Sequence, residues 1–159
     1  MKKLLVSLLL VTQFSCIGKA QENTIAVQIP TTDSLKTDTL SLLFVGDLMQ
    51  HQGQINAART TEGGYDYSSY FEYVKAEISR ADFAIANLEV TLGGKPYKGY
   101  PAFSAPDEYL TAIHNAGFNV LITANNHSLD RGRSGLERTI LLIDSLNIPH
   151  AGTYTNAEE

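Results

Sequence analysis

The feature that most constrains the fold of this chain is a pattern that recurs three times, in which an apolar, strand-like run ends directly in polar residues of metal-binding type. The runs are LLFVGD, ending in Asp47; FAIANLE, ending in Asn87 and Glu89; and FNVLITANNH, ending in Asn125, Asn126 and His127. In an open α/β sheet, ligands bind beyond the carboxyl ends of the strands. The sequence therefore predicts that three distant segments bring carboxylate, amide and imidazole groups to one sheet edge, as in a metal-dependent active site.

The segments between these runs have helical patterns. Apolar residues recur at helical spacing from Tyr67 to Ile78, and Ser134 begins a capping box with Glu137. Strand–helix–strand alternation predicts an α/β fold with a parallel sheet and right-handed β-α-β units. The predicted elements, in chain order, are a buried strand over 40–45, a helix over 67–80, a strand over 82–87, a helix from Pro106 to Gly117, a strand over 118–123, a helix from Ser134 and a strand over 148–153.

Residues 1–20 have the pattern of an export signal. Lys2 and Lys3 precede an apolar run over 4–11, which is too short to span about 30 Å of hydrocarbon. Two processing routes stay open. Cleavage after Gly18-Lys19-Ala20 would release a soluble exported protein, whereas lipidation of Cys16 would end the signal at residue 15 and tether the protein to a membrane. Both routes predict an extracytoplasmic protein, in the periplasm or at the cell surface.

The composition indicates where the linker and the domain lie, and it excludes some classes of binding partner and metal site. Residues 21–39 are rich in Thr, Ser, Asp and Gln and are predicted to be a flexible linker, which leaves residues 40–159 for the domain. The net charge of −5 argues against nucleic acid as a partner, since phosphate contacts need a basic patch. The single cysteine, Cys16, excludes an intramolecular disulfide and a thiolate metal site within the sequence.

Each polar cluster also has a structural interpretation. Asp47 can cap the turn after Gly46, and Asn87 and Glu89, which share one side of a strand, can be solvated strand-end residues. The group 125–127 is the most informative, because consecutive amides and an imidazole are costly to bury without partners. Asp130, three residues further on, can orient the imidazole of His127 through a hydrogen bond.

Four segments together resemble the bacterial capsule-synthesis CapA family, which is associated with poly-γ-glutamate synthesis and related to calcineurin-like metallophosphoesterases. The resemblance covers about Leu42 to Thr153. It implies a sandwich of two sheets flanked by helices around a two-metal centre, of which this chain would be the N-terminal part. The segments, in order, are Gly46-Asp47-Leu48-Met49, Ala86-Asn87-Leu88-Glu89, Phe103-Ser104-Ala105-Pro106 and Ala124-Asn125-Asn126-His127-Ser128-Leu129-Asp130-Arg131-Gly132.

The resemblance also implies roles for individual residues. Oxygen and nitrogen ligands without sulfur suit two divalent ions of Mn, Fe, Zn or Mg. The implied roles are metal binding by Asp47, Glu89 (as the bridging carboxylate) and Asn126, leaving-group stabilisation or protonation by His127 with Asp130 behind it, and substrate binding by Asn87 and Asn125.

Two departures from the family pattern affect the predicted site. Met49 stands where the related phosphoesterases carry a histidine, and His51 either replaces that metal ligand or is an ordinary loop histidine. The later histidine motifs are absent, and we predict structural roles for His114 and His150. We therefore expect the chain itself to bind metal weakly and to turn over little substrate.

Three hypotheses of function follow. The first is an exported, metal-dependent phosphoesterase-like enzyme of capsule or poly-γ-glutamate biosynthesis that acts on an envelope polymer or a phosphorylated small molecule. The second is a non-catalytic factor for polymer assembly or export that keeps a vestigial metal site. The third is a structural α/β domain whose strand-end polar residues only cap turns and helices.

Overall fold

The computed structural model describes residues 37–156, and those from Asp38 onward belong to one compact unit. The predicted export signal and all but the last three residues of the predicted linker lie outside these described residues. Over residues 37–156, no helix is both long enough and apolar enough to cross a membrane.

The described residues form a four-stranded, fully parallel sheet with the strands in chain order, together with four helices. The predicted α/β class and parallel β-α-β organisation are therefore confirmed. The elements are β1 (Leu42–Leu48), α1 (Gln52–Ala57), α2 (Lys75–Ile78), β2 (Phe83–Leu88), α3 (Asp107–Ala116), β3 (Val120–Ile122), α4 (Gly132–Ser145) and β4 (His150–Ala151).

Helix α3 agrees with its sequence signals at both ends. Pro106 is the N-cap residue, and Gly117 ends the helix in the left-handed region at φ 108°. A Cβ at Gly117 would also lie 2.8 Å from Ser79 Oγ, so the position favours glycine on two grounds. Helix α4 differs from its prediction, because it begins at Gly132, two residues before Ser134, and its N-cap residue Arg131 makes no side-chain cap.

The predicted helix over 67–80 is wrong for most of its length, since only Lys75–Ile78 are α-helical. Tyr67 is buried instead and donates a hydrogen bond to Gln50 Oε1 at 2.9 Å, while Tyr70 donates to the carbonyl of Gln54 at 2.7 Å. These long-range bonds hold the aromatic segment in turns, so tertiary contacts override the helical spacing. The short helix α1, within a stretch that the sequence marks only as polar, accepts the second of these bonds.

One face of the sheet carries the core. The residues of β2 that point to this face are small or apolar, and the residues of α3, α4 and β3 that pack with them are also buried. The members of this core include Ala84, Ala86, Leu88, Leu110, Ile113, Phe118, Leu121 and Ile143.

The other face of the sheet is open in the described part of the chain. Phe44 is 71% exposed, Leu42 is 57% exposed, Phe83 is 43% exposed and Ile122 is 36% exposed. The prediction that residues 40–45 form a buried strand is therefore wrong. The reason is that β1 is an edge strand, paired only with β2 here, and its outward side chains have no layer above them. A single sheet with helices on one face and an apolar second face is a partial sandwich, as the resemblance implies.

Candidate active site at the carboxyl ends of the strands

A pair of carboxylates lies at the carboxyl ends of β1 and β2. The register between these strands shifts between Val45 and Asp47, and the extra residue of this bulge places Asp47 opposite Asn87. The side-chain amide of Asn87 donates to Asp47 Oδ1 at 2.8 Å and to Glu89 Oε2 at 2.9 Å. Asp47 and Glu89 thus share the side-chain amide of Asn87 as a donor, and the second oxygen of each carboxylate lies outside these two hydrogen bonds.

Asn125, after β3, supports this pair from behind. Its Nδ2 donates to Asn87 Oδ1 and to the carbonyl of Leu88, each at 3.0 Å. Its Oδ1 accepts from the backbone N–H of His127 at 3.0 Å, which fixes the start of the turn that carries the imidazole. Asn125 therefore links the carboxylate pair to the histidine.

His127 and Asp130 form a mostly buried pair, with both side chains 12% exposed. His127 Nδ1 lies 2.8 Å from Asp130 Oδ2, and because an ionised carboxylate can only accept, Nδ1 carries the proton. The other ring nitrogen, Nε2, lies 4.0 Å from Glu89 Oε1. Asp130 therefore sets the tautomer of the ring and directs Nε2 towards the carboxylate pair.

The electrostatic environment of Glu89 is unfavourable for its negative charge. Burial is the largest cause that raises the pKa of Glu89 above its ordinary value, and the neighbouring carboxylate of Asp47 raises it further. His127 and the Asn87 amide act in the opposite direction and lower this pKa. A cation between the two carboxylates would relieve the same repulsion.

Sequence comparison places the chain in a family. The family described as "Bacterial capsule synthesis protein PGA_cap" matches residues 41–159. The chain belongs to this family. The predicted resemblance to the CapA family is therefore confirmed.

Individual proteins similar to this chain extend well beyond the region that aligns with it. Capsule biosynthesis protein CapA of Bacillus anthracis is 28% identical over 132 residues, which cover 78% of this chain and 31% of that protein. PGA biosynthesis protein CapA of Bacillus subtilis (strain 168) is 31% identical over 132 residues, which cover 80% of this chain and 32% of that protein. An uncharacterized protein, y4sH of Sinorhizobium fredii, is 32% identical over 126 residues, or 25% of its length. The chain thus spans about a third or less of these relatives.

Two of the predicted metal ligands in this PGA_cap chain are less closely tied to the carboxylate pair. Asn126 is exposed beside His127, and its side chain makes no hydrogen bond within residues 37–156. His51, at the start of α1, is exposed and packs its ring edge-on against Phe103, with the centroids 5.4 Å apart. Met49 is partly buried against the core, so it takes no part in the polar network. Their metal-binding roles remain predictions.

The two other histidines lie outside the network around Glu89. His114 is exposed near the end of α3. His150 lies in β4, where its Nε2 is 3.2 Å from Asp144 Oδ1. Neither contacts a candidate site residue among the described side chains, and the structural roles expected for them stay predictions.

Sequence reasoning missed Phe103 as a site residue. Its backbone N–H donates to Asp130 Oδ2 at 2.8 Å, and its buried ring meets the ring of His127 at a centroid distance of 4.6 Å and the ring of His51 on another side. The sequence indicates the segment Phe103-Ser104-Ala105-Pro106 only as part of the family resemblance. Its exact link to Asp130 depends on a loop conformation that no local pattern predicts.

The donor chemistry fits divalent cations, but the set of donors is small. Oxygen from Asp47, Glu89 and Asn126 and nitrogen from His51 are ligand types that Mn, Fe, Zn and Mg accept. Within residues 37–156, however, no three His, Cys, Asp or Glu side chains are grouped closely enough to hold an ion by themselves. A metal site here would therefore need ligands beyond the His, Cys, Asp and Glu side chains of residues 37–156, and metal binding stays a prediction.

A cavity of about 470 Å³ lies elsewhere, between α3 and the aromatic segment 65–75. Tyr65, Phe71, Lys75 and Glu108 are among its lining residues, and none of the candidate site residues lines it. The candidate active site is therefore at the strand ends, where the carboxylates and the imidazole lie together, and not in this larger cavity.

Proposed function

We propose that this chain is the N-terminal part of an exported, metal-dependent phosphoesterase-like enzyme of capsule or poly-γ-glutamate biosynthesis. The observation that carries the proposal is the joining of the Asp47–Glu89 pair to the His127–Asp130 pair at one sheet edge. Membership of the PGA_cap family and the names of the two Bacillus relatives support the capsule and poly-γ-glutamate context.

In this proposal, the carboxylates and the imidazole have different tasks. Asp47, Glu89 and Asn126, with His51 as a further candidate, would hold up to two divalent ions of Mn, Fe, Zn or Mg. Such ions supply a Lewis acid for a phosphoryl oxygen and make a water molecule more acidic. The raised pKa of Glu89 supports a cation at the carboxylate pair, since the Asn87 amide offsets the repulsion between the two carboxylates only in part.

His127 would handle the proton of the leaving group. Because Nδ1 keeps its proton in the hydrogen bond to Asp130 Oδ2, the proton that can be given to a leaving group is the one that Nε2 carries when the imidazole is protonated, and Nε2 faces the carboxylate pair. Phe103 closes one side of the ring, so the imidazole is held by a backbone-anchored carboxylate and an aromatic edge. Asp130 thus positions the acid, and His127 would touch the substrate.

The substrate class and location belong to the same proposal. We propose an envelope polymer or a phosphorylated small molecule as substrate, outside the cytoplasm, and either soluble export or a lipid anchor at Cys16. In this proposal, the groups at 47, 89 and 127 would act on a phosphoryl group through bound cations and the imidazole, whereas none of them would select the rest of the substrate.

The test uses the longest polypeptide that the gene encodes, assayed on an aryl phosphate with added Mn²⁺. We expect turnover that depends on the metal and falls by at least about 100-fold in His127→Ala and similarly in Glu89→Ala. Glu62→Ala, at an exposed loop position, is the matched control and should keep full activity. If metal-dependent turnover is absent, or survives both site variants, the non-catalytic assembly or export factor becomes the better proposal.

A further inference from the structure

Asn87 occupies a special position in the carboxylate pair. Both of its amide protons are used, one by Asp47 Oδ1 at 2.8 Å and one by Glu89 Oε2 at 2.9 Å. A carboxylate can accept but not donate, so the nitrogen end of the amide must face both acids. The side chain therefore has no proton left to offer a substrate.

The orientation of this amide is itself fixed. Asn125 Nδ2 donates to Asn87 Oδ1 at 3.0 Å, and this bond would be lost if the Asn87 amide turned over. The same nitrogen of Asn125 also donates to the carbonyl of Leu88 at 3.0 Å, which ties it to the backbone of β2. The side-chain amides of Asn125 and Asn87 thus form a chain of hydrogen bonds that holds the carboxylates of Asp47 and Glu89 next to each other.

The arrangement also divides the carboxylate oxygens into two groups. The Asn87 amide takes Oδ1 of Asp47 and Oε2 of Glu89, which leaves Oδ2 and Oε1 outside its reach. Of these, Glu89 Oε1 is the oxygen 4.0 Å from His127 Nε2. Asp47 Oδ2 and Glu89 Oε1 are therefore the oxygens that the amide does not bind, and Glu89 Oε1 is the one near the imidazole.

We propose that Asn87 is a positioning residue: it holds Asp47 and Glu89 together and reserves one oxygen of each for a divalent cation. The second half of this inference rests on the proposed function, whereas the first half, the amide clamp, concerns the metal-free protein alone. The inference gives Asn87 a role different from the substrate binding that the sequence suggested.

The first experiment tests the clamp without metal. We expect NMR of the whole chain to show side-chain amide protons of Asn87 that exchange with water at least about tenfold more slowly than those of Asn115, which is exposed on α3. Asp47→Ala or Glu89→Ala should remove that protection while the backbone spectrum elsewhere is kept. Equal exchange at Asn87 and Asn115 would overturn the clamp.

The second experiment tests the reserved oxygens by Mn²⁺ titration of the same chain. Asn87→Ala should weaken Mn²⁺ binding by about 10-fold, as is usual when a partner of a metal ligand is lost. Asn115→Ala is the matched control and should bind like the wild type. Unchanged affinity in Asn87→Ala would overturn the role towards the cation.

A second variant keeps the result decisive if Asn87→Ala fails to fold. Asn87→Asp keeps the shape but replaces two donors by a third carboxylate, so the metal-free protein should melt at a lower temperature and gain more from Mn²⁺ than the wild type. Asn115→Asp adds the same charge far from the carboxylate pair, so it should change neither the melting temperature nor the stabilisation by Mn²⁺. If Asn87→Asp behaves like Asn115→Asp, the proposal is contradicted. If the wild type binds no Mn²⁺, the role of Asn87 towards the cation is overturned and the exchange data alone decide the clamp, while the proposed function is decided separately by turnover of the longest encoded polypeptide.

Discussion

The two faces of the sheet differ although they are built from the same strands. On β2, Ala84 and Ala86 face the helices and are at most 1% exposed, whereas Phe83, their neighbour on the opposite face, is 43% exposed. The covered face has small side chains where the helices approach closely, and the open face has large ones with nothing above them in the described residues. Hydrophobicity therefore predicts which residues can be buried, but a residue is buried only where another element, here a helix, packs over it.

The largest expected effect compares two adjacent residues of β3. Leu121 is fully buried on the covered face, and Ile122 is 36% exposed on the open face. Leu121→Ala should lower the free energy of unfolding by about 2–5 kcal/mol because it leaves a cavity, whereas Ile122→Ala should cost less than about 1 kcal/mol. Urea unfolding of both variants measures the difference. Equal losses would mean that the open face is as well packed as the covered one.

A smaller effect compares the His127–Asp130 pair, in which both side chains are mostly buried, with the His150–Asp144 pair, in which only the carboxylate is exposed. Asp130→Ala removes the acceptor of both the Phe103 N–H and His127 Nδ1, and should cost about 1–3 kcal/mol of unfolding free energy. Asp144→Ala removes the partner of His150, but the Asp144 side chain is 56% exposed, so this loss should stay below about 1 kcal/mol. Thermal unfolding measures both, and a larger loss in Asp144→Ala would show that burial does not set the strength of these pairs.

The pH dependence of stability should report the carboxylate pair at the end of the open face. The pKa of Glu89 is raised in the folded protein, so the folded state holds this proton more tightly than the unfolded state does. The stabilisation is fully present below the ordinary pKa of 4.5 and is lost as the pH rises through the folded value. Unfolding free energies measured from about pH 4 to pH 7 should therefore fall less steeply in Glu89→Gln than in the wild type. The exposed variant Glu62→Gln is the control, and a wild-type slope in Glu89→Gln would contradict the prediction.

The smallest expected effect on stability is at the most exposed residue of the open face. Phe44→Ser should change the free energy of unfolding by no more than about 0.5 kcal/mol, because the ring is 71% exposed. It should nevertheless reduce the binding of a hydrophobic fluorescent dye, since Phe44 is part of a continuous apolar face. Leu141→Ser, on α4 and 64% exposed, offers a control outside the sheet. If both variants reduce dye binding equally, the open face is not a distinct surface.

The parts of the fold that the sequence predicts well are those set by local chemistry. Helix α3 lies between Pro106 and Gly117 as its end signals indicate, because the left-handed backbone at Gly117 is a local requirement. The strand ends at Asn87 and Asn125 were also found from their patterns, and parallel pairing brings them together without further information.

The parts that the sequence does not predict depend on distant contacts. The aromatic segment from Tyr67 has helical spacing, yet its hydroxyl bond to Gln50 across 17 residues holds it in turns. The apolar run of β1 has the composition of a buried strand, but its place at the edge of the sheet exposes it. At the candidate site, the bond from Phe103 to Asp130 joins a loop to a turn 27 residues later, and spacing alone does not indicate it.

The row of residues along β2 on the open face has a further consequence. Phe83 and Ile85 precede Asn87 on that face, and successive residues on one face of a strand are about 7 Å apart. Any layer that shields Phe83 and Ile85 from water therefore comes within about 7 Å of Asn87, whose amide binds Asp47 and Glu89. Removing water from the first part of the row lowers the local dielectric constant at its end, where charges interact more strongly. The hydration of the apolar face therefore affects how strongly the charges of the candidate site interact.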